Sequence, residues 1–182
     1  MIRLFVALEL PMSVRTRLAL LAGGVPGARW QRQDQMHLTL RFIGEVDEGV
    51  ARDIDDALST VRAPAFTLEL SGVGDFGGRD PHTLWAGVRA NRALVHLQKK
   101  AESALVRVGL EAETRKYTPH VTLARLRNAP REKVAEFVAH HALFASGPIE
   151  VDSFALFSSH LGGDGAVYRV ERRYALIGSS PA

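Results

Sequence analysis

The pattern His-x-Thr-Leu stands at His37–Leu40 and again, 83 residues later, at His120–Leu123. Each copy lies at the same point of a longer order of elements, and that coincidence limits the fold more than any single segment does. In the first half, Ile2 to Leu8 is rich in β-formers and reads as a strand. A helix follows from about Ser13, a good cap residue, to Gly23-Gly24. His37 to Ile43 is a strand closed by Gly44. Val50, Ile54, Ala57, Leu58 and Val61 then share one helical stripe behind a cap at Asp47, and Ala65 to Phe76 alternates as a strand.

The second half repeats this order. Thr83 to Val88 matches the opening strand, and Leu94, Leu97, Ala101, Ala104, Leu105 and Val108 form a helix face ended by Gly109. His120 to Leu126 is the counterpart of the His37 strand. Val134, Phe137 and Val138 mark the next helix, with Pro130 in its first turn. Ile149 to Phe157 reads as one strand, and Val167 to Ile177 as a terminal strand reached through Gly162-Gly163-Asp164-Gly165. Strand–helix–strand–helix–strand thus occurs twice. The expectation is one domain over residues 1–182, made of two pseudo-symmetric lobes whose equivalent strands face each other across a central cleft.

Composition narrows the chemistry. There is no cysteine, which excludes disulfides, thiolate zinc sites and cysteine nucleophiles. No apolar run is long enough to span a bilayer. The apolar stretch after Met1 is interrupted by Glu9 and Pro11, so it reads as the first strand of a cytoplasmic protein and not as a signal peptide. Lys and Arg outnumber Asp and Glu by 23 to 20. The pI near 9.6 is compatible with a nucleic-acid or phosphate substrate. With no exposed repeat or coiled coil, a monomer is expected.

Side chains alternate across a strand, so His37 and Thr39 share one face while Leu38 and Leu40 take the other; His120 and Thr122 repeat the arrangement. Two such pairs bring two imidazoles and two hydroxyls to one small space. That set suits in-line displacement at phosphorus. A neutral histidine takes a proton from water, and a protonated one gives a proton to a departing ribose oxygen. The threonine hydroxyls hold the non-bridging oxygens. Two histidines make an incomplete zinc site, and no Asp/Glu cluster accompanies them, so neither metal nor cofactor is expected. His82, His96, His140, His141 and His160 are expected to play no part, His160 lying in the loop between the last two strands without a partner.

Met36-His37-Leu38-Thr39-Leu40-Arg41-Phe42-Ile43-Gly44 paired with Tyr117-Thr118-Pro119-His120-Val121-Thr122-Leu123-Ala124-Arg125 resembles the LigT-like branch of the two-histidine (2H) phosphoesterases. These are the RNA 2′,3′-cyclic phosphodiesterases, also called 2′-5′ RNA ligases. The resemblance takes in Arg3 to Ala7, Thr83 to Val88, and Leu156 to Ser159 with Gly165 and Tyr168; Lys116 and Tyr117 stand where Pro and Phe are more usual. It implies a bilobal α+β fold of two antiparallel sheets with outer helices, and opening of a 2′,3′-cyclic phosphate at an RNA end to a 2′-phosphate. By position, His37 would be the proton donor and His120 the proton acceptor. Four further residues are candidates for binding substrate. Arg125 would hold phosphate, but strict alternation puts it opposite His120, so a bulge must re-aim it. Arg115 would line the approach, and Phe42 and Tyr117 would stack on a nucleobase. ATP-independent 2′-5′ joining of RNA ends and a non-catalytic RNA-binding module are the competing functions.

Overall fold

The computed structural model describes residues 1–178; the last four residues of the expected 1–182 domain lie outside the described residues. Among the described residues nine strands and four α-helices follow one another as β1 (Ile2–Glu9), α1 (Met12–Ala19), β2 (Ala28–Trp30), β3 (His37–Val46), α2 (Glu48–Ser59), β4 (Phe66–Phe76), β5 (Thr83–Val88), α3 (Arg92–Arg107), β6 (His120–Leu126), α4 (Arg131–His140), β7 (Ala145–Val151), β8 (Ser153–Gly162) and β9 (Gly165–Ala175). A 3-10 turn, Gln33–Gln35, precedes β3. Asp47 caps α2 as expected, accepting from the Val50 amide. α1 starts two residues earlier than the Ser13 cap implied, behind Pro11 and without a side-chain cap, and stops at Ala19.

Two antiparallel sheets form, ordered β3-β1-β8-β9 and β2-β6-β5-β4-β7. The α+β class and the twofold repetition are therefore present, but the halves do not build a sheet each. β4 belongs to the first half and pairs with β5 and β7 of the second sheet. β8 belongs to the second half and pairs with β1 of the first sheet. The run read as one strand from Ile149 to Phe157 is divided at Asp152: β7 ends in one sheet and β8 begins in the other. Aspartate is poorly suited to a strand interior, and Asp152 is exposed there while its carbonyl accepts from the Leu176 amide.

One apolar core runs through both sheets, joining Leu4, Val6 and Leu38 to Leu84, Leu97 and Val121. Leu38 and Val121 are fully buried, as their alternation with the cleft-facing histidines requires. A smaller cluster of Phe5, Ala7, Ala155 and Phe157 covers the opposite face of the first sheet. Polar ties also cross between the lobes. Arg41 of β3 lies 2.7 Å from Glu102 of α3 and 3.4 Å from Glu113, and donates to the Glu111 carbonyl. The Tyr117 hydroxyl donates to the Thr39 carbonyl at 2.9 Å. No helix among the described residues is long and apolar enough to cross a membrane.

Because Leu38 is enclosed on all sides and belongs to the core shared by both lobes, Leu38→Ala should cost about 3 kcal/mol of unfolding free energy. Urea unfolding followed by circular dichroism checks this. A single lowered transition is expected, and two separated transitions would mean that the lobes fold independently.

Candidate active site

On β3, Val6 of β1 faces Arg41 while Ala7 faces Thr39, so Leu40 is an extra residue. On β6, Leu84 of β5 faces Ala124 while Trp85 faces Thr122, so Leu123 is the extra residue there. Both leucines are buried, and they occupy the same place in the repeat. An extra residue reverses the alternation beyond it. Arg125 is thereby brought to the side of His120 and Thr122, and Phe42 to the side of His37 and Thr39. All six side chains line one cleft of about 590 Å³. Phe42 and Arg125 are again 83 residues apart, so one lobe presents an aromatic ring where the other presents a guanidinium.

Each imidazole is gripped in the same way. His37 Nδ1 is 2.8 Å from the Gln35 carbonyl, and His120 Nδ1 is 2.7 Å from the Thr118 carbonyl. A carbonyl only accepts, so Nδ1 carries a proton in both rings and Nε2 is the nitrogen left to gain or lose one. The two rings rest on aromatic walls. His37 lies 4.7 Å from the Phe5 ring and meets Tyr168 edge-on at 5.2 Å. His120 meets Phe76 edge-on at 4.9 Å, with Trp85 at 6.4 Å. Gly74 makes room for that indole: a Cβ there would stand 2.4 Å from the Trp85 ring.

These surroundings disfavour charge. Burial is the main cause that lowers His37 to about 4, with the charges of His120 and Arg125 adding to it against the help of the Gln35 carbonyl. His120 is lowered by burial and by Arg125. His120 acts on His37 and Arg125 acts on both rings, and all three side chains line the same cleft. Arg125 is steadied by a 3.1 Å bond to the hydroxyl of the buried Thr83.

The remaining candidates divide. Phe42 is 46% exposed in the cleft wall, with the Arg3 guanidinium 5.2 Å above its ring. Arg115 also lines the cleft, although Nε and Nη2 are engaged by the Glu113 carboxylate at 3.1 and 3.0 Å. Tyr117 is placed elsewhere. Its ring packs on the core and its hydroxyl is committed to Thr39, so it ties β3 to the approach of β6 and does not offer a face for stacking. The sequence reading missed Gln35. Its side chain accepts from the Arg32 amide and donates to the Ala166 carbonyl at 2.9 Å, while its own carbonyl orients His37. It thus latches the β8–β9 hairpin, which supplies Ser159 and Tyr168 to the cleft. His160 stands in β8 and not in a loop, and its Nε2 meets the buried Ser158 hydroxyl at 2.8 Å. Ser158 in turn donates to Glu171. Among the described residues no three His, Asp or Glu side chains are grouped to hold a metal ion.

The family model of the 2′-5′ RNA ligase superfamily matches residues 21–163. The chain is 34% identical to an RNA 2′,3′-cyclic phosphodiesterase of Aeropyrum pernix, over 85% of this chain and 89% of the relative. A protein of the same name from Archaeoglobus fulgidus is 30% identical over 92% of this chain and 96% of its own length. Among solved structures, E. coli LigT complexed with 3′-AMP superposes with a TM-score of 0.78 at 28% identity, over 96% of this chain and 98% of that one.

Burial of a neutral His37 has a consequence for stability. Its folded pKa lies below the unfolded value of 6.5, so the unfolded chain takes up a proton first. The stabilisation is complete above pH 6.5 and is lost as pH falls towards about 4, by roughly 1.4 kcal/mol per unit between those limits. Denaturation midpoints measured across that range should decline in the parent protein and decline less in His37→Leu. Parallel curves would show that His37 does not carry the effect.

Proposed function

The chain belongs to the 2′-5′ RNA ligase superfamily, and from that membership and its two-histidine cleft we propose that it opens 2′,3′-cyclic phosphates at RNA ends to 2′-phosphates. The observation that carries the reading is the paired grip on Nδ1, which turns two Nε2 atoms of identical tautomer into one cleft. In the proposed step His120 Nε2 takes a proton from water as its oxygen bonds to phosphorus. The bond from phosphorus to O3′ breaks, and His37 Nε2 delivers a proton to that oxygen. Thr39, Thr122 and Arg125 hold the non-bridging oxygens, where negative charge gathers in the transition state. Phe42 offers its open face to the terminal base.

The assignment of acid and base follows the family resemblance, and the electrostatics of the cleft say when the proton arrives. With His37 near 4, the imidazolium is scarce before substrate binds. A phosphate anion opposes both the burial cost and the repulsion from Arg125, so substrate itself raises the acid into its working form. No metal is needed for either transfer. Joining a cyclic end to an RNA 5′-hydroxyl would use the same groups in reverse, and excess water keeps it a side reaction.

Hydrolysis of a 2′,3′-cyclic RNA end is expected to persist in excess EDTA and to fall about 10²- to 10⁴-fold in kcat for His37→Ala and for His120→Ala, with KM altered far less. Retained turnover in either variant, or loss of turnover with EDTA, would refute the two-imidazole mechanism.

The pH dependence is a separate check. In the free enzyme one ring must be charged and the other neutral, and both values lie below 6.5, so kcat/KM should peak below pH 6.5 and fall as pH rises. The kcat profile should peak at higher pH, because bound phosphate raises both rings. A kcat/KM still climbing at pH 8 would exclude an imidazolium donor in the free enzyme.

A further inference from the structure

Around the lip of the second sheet from the cleft lies another groove, of about 620 Å³, between the end of β5, the start of α3 and Pro119. Arg89, Arg92, His96 and Lys99 line it, and no carboxylate does. In a chain whose positive and negative side chains number 23 and 20, such segregation is local and one-sided. Arg92, His96 and Lys99 are exposed and follow the spacing i, i+4, i+7, which sets them on one stripe of α3. That stripe works against the helix. Arg92 sits in a first turn with no acidic residue, where the helix dipole disfavours a cation. Arg89 is partly answered by Glu69 at 2.9 Å, but its side chain is still 65% exposed. An arrangement unfavourable to the fold and rich in unopposed positive charge fits a polyanion.

Its position selects the polyanion. Pro119 walls this groove and His120, the next residue, walls the cleft; consecutive Cα atoms are only about 3.8 Å apart. We propose that this groove carries the phosphate backbone of the RNA upstream of the reacting end, so that the protein distinguishes a polynucleotide from a free cyclic nucleotide by backbone charge. The exposed Val95 between the basic side chains gives the strand an apolar contact as well. The inference rests on the phosphodiesterase reading for what occupies the cleft, but the groove can be scored without turnover.

The test uses the double variant Arg92→Gln/Lys99→Gln, which touches no cleft residue, and a control, Arg131→Gln/Lys133→Gln on α4, which removes the same charge elsewhere. Binding of a labelled RNA of about a dozen nucleotides ending in a 2′-phosphate is followed by fluorescence anisotropy over a range of salt. The groove variant should bind about tenfold more weakly, with the slope of log K against log salt smaller by about 1.4. Hydrolysis of a cyclic mononucleotide should be unchanged, while KM for a cyclic-ended oligonucleotide rises about tenfold. Unaltered RNA binding in the groove variant, or equal weakening in the control, would overturn the groove. Absence of turnover on either substrate with the binding difference intact would overturn the phosphodiesterase reading and leave the groove standing.

Discussion

The hydrogen bond from each Nδ1 to a carbonyl two residues upstream decides which nitrogen meets the cleft, and the chemistry depends on that choice. A ring bonded this way cannot turn over to offer the other nitrogen without leaving a protonated Nδ1 unpartnered in partly buried surroundings. The grip reaches outward through Gln35. That residue supplies the carbonyl for His37 from its main chain and fixes the β8–β9 hairpin with its side chain. The aromatic wall over His37 and the hydrogen bond beneath it are therefore set by neighbouring parts of one short turn.

Arg125 introduces a deliberate imbalance. It stands on the cleft side because Leu123 is an extra residue in β6, and its charge depresses both imidazoles. Burial does most to hold both rings below the ordinary imidazole value, and the guanidinium adds to it. An entering anion reverses the balance for both rings at once. The same guanidinium thus opposes positive charge on both rings and would attract an anion that favours it.

Much of this was legible in the residues. The Leu38/Leu40 and Val121/Leu123 alternation marked the core side of both strands, and the two His-Thr pairs marked the cleft. Arg125 showed its own difficulty, since its position demanded a bulge, and the bulge is there. Other features had no local signal. Tyr117 reads as an aromatic beside a motif, and only the approach of β3 shows its hydroxyl committed to Thr39. Gln35 is an ordinary polar residue until the hairpin from the far end of the chain is seen against it. The single apolar run from Ile149 to Phe157 concealed a change of sheet, because β7 and β8 both alternate well and only Asp152 interrupts them. What the chain pairs with at long range is not written in short-range periodicity.

The exchange of β4 and β8 between the two halves has a further consequence. Neither half contains a finished sheet, so a half-chain alone would leave open edges that invite another strand. Equivalent positions of the two halves have parted in character, one holding Phe42 and the other Arg125. The two sides of the cleft are therefore unlike, and it has a direction that the repeated order of elements alone would not give it.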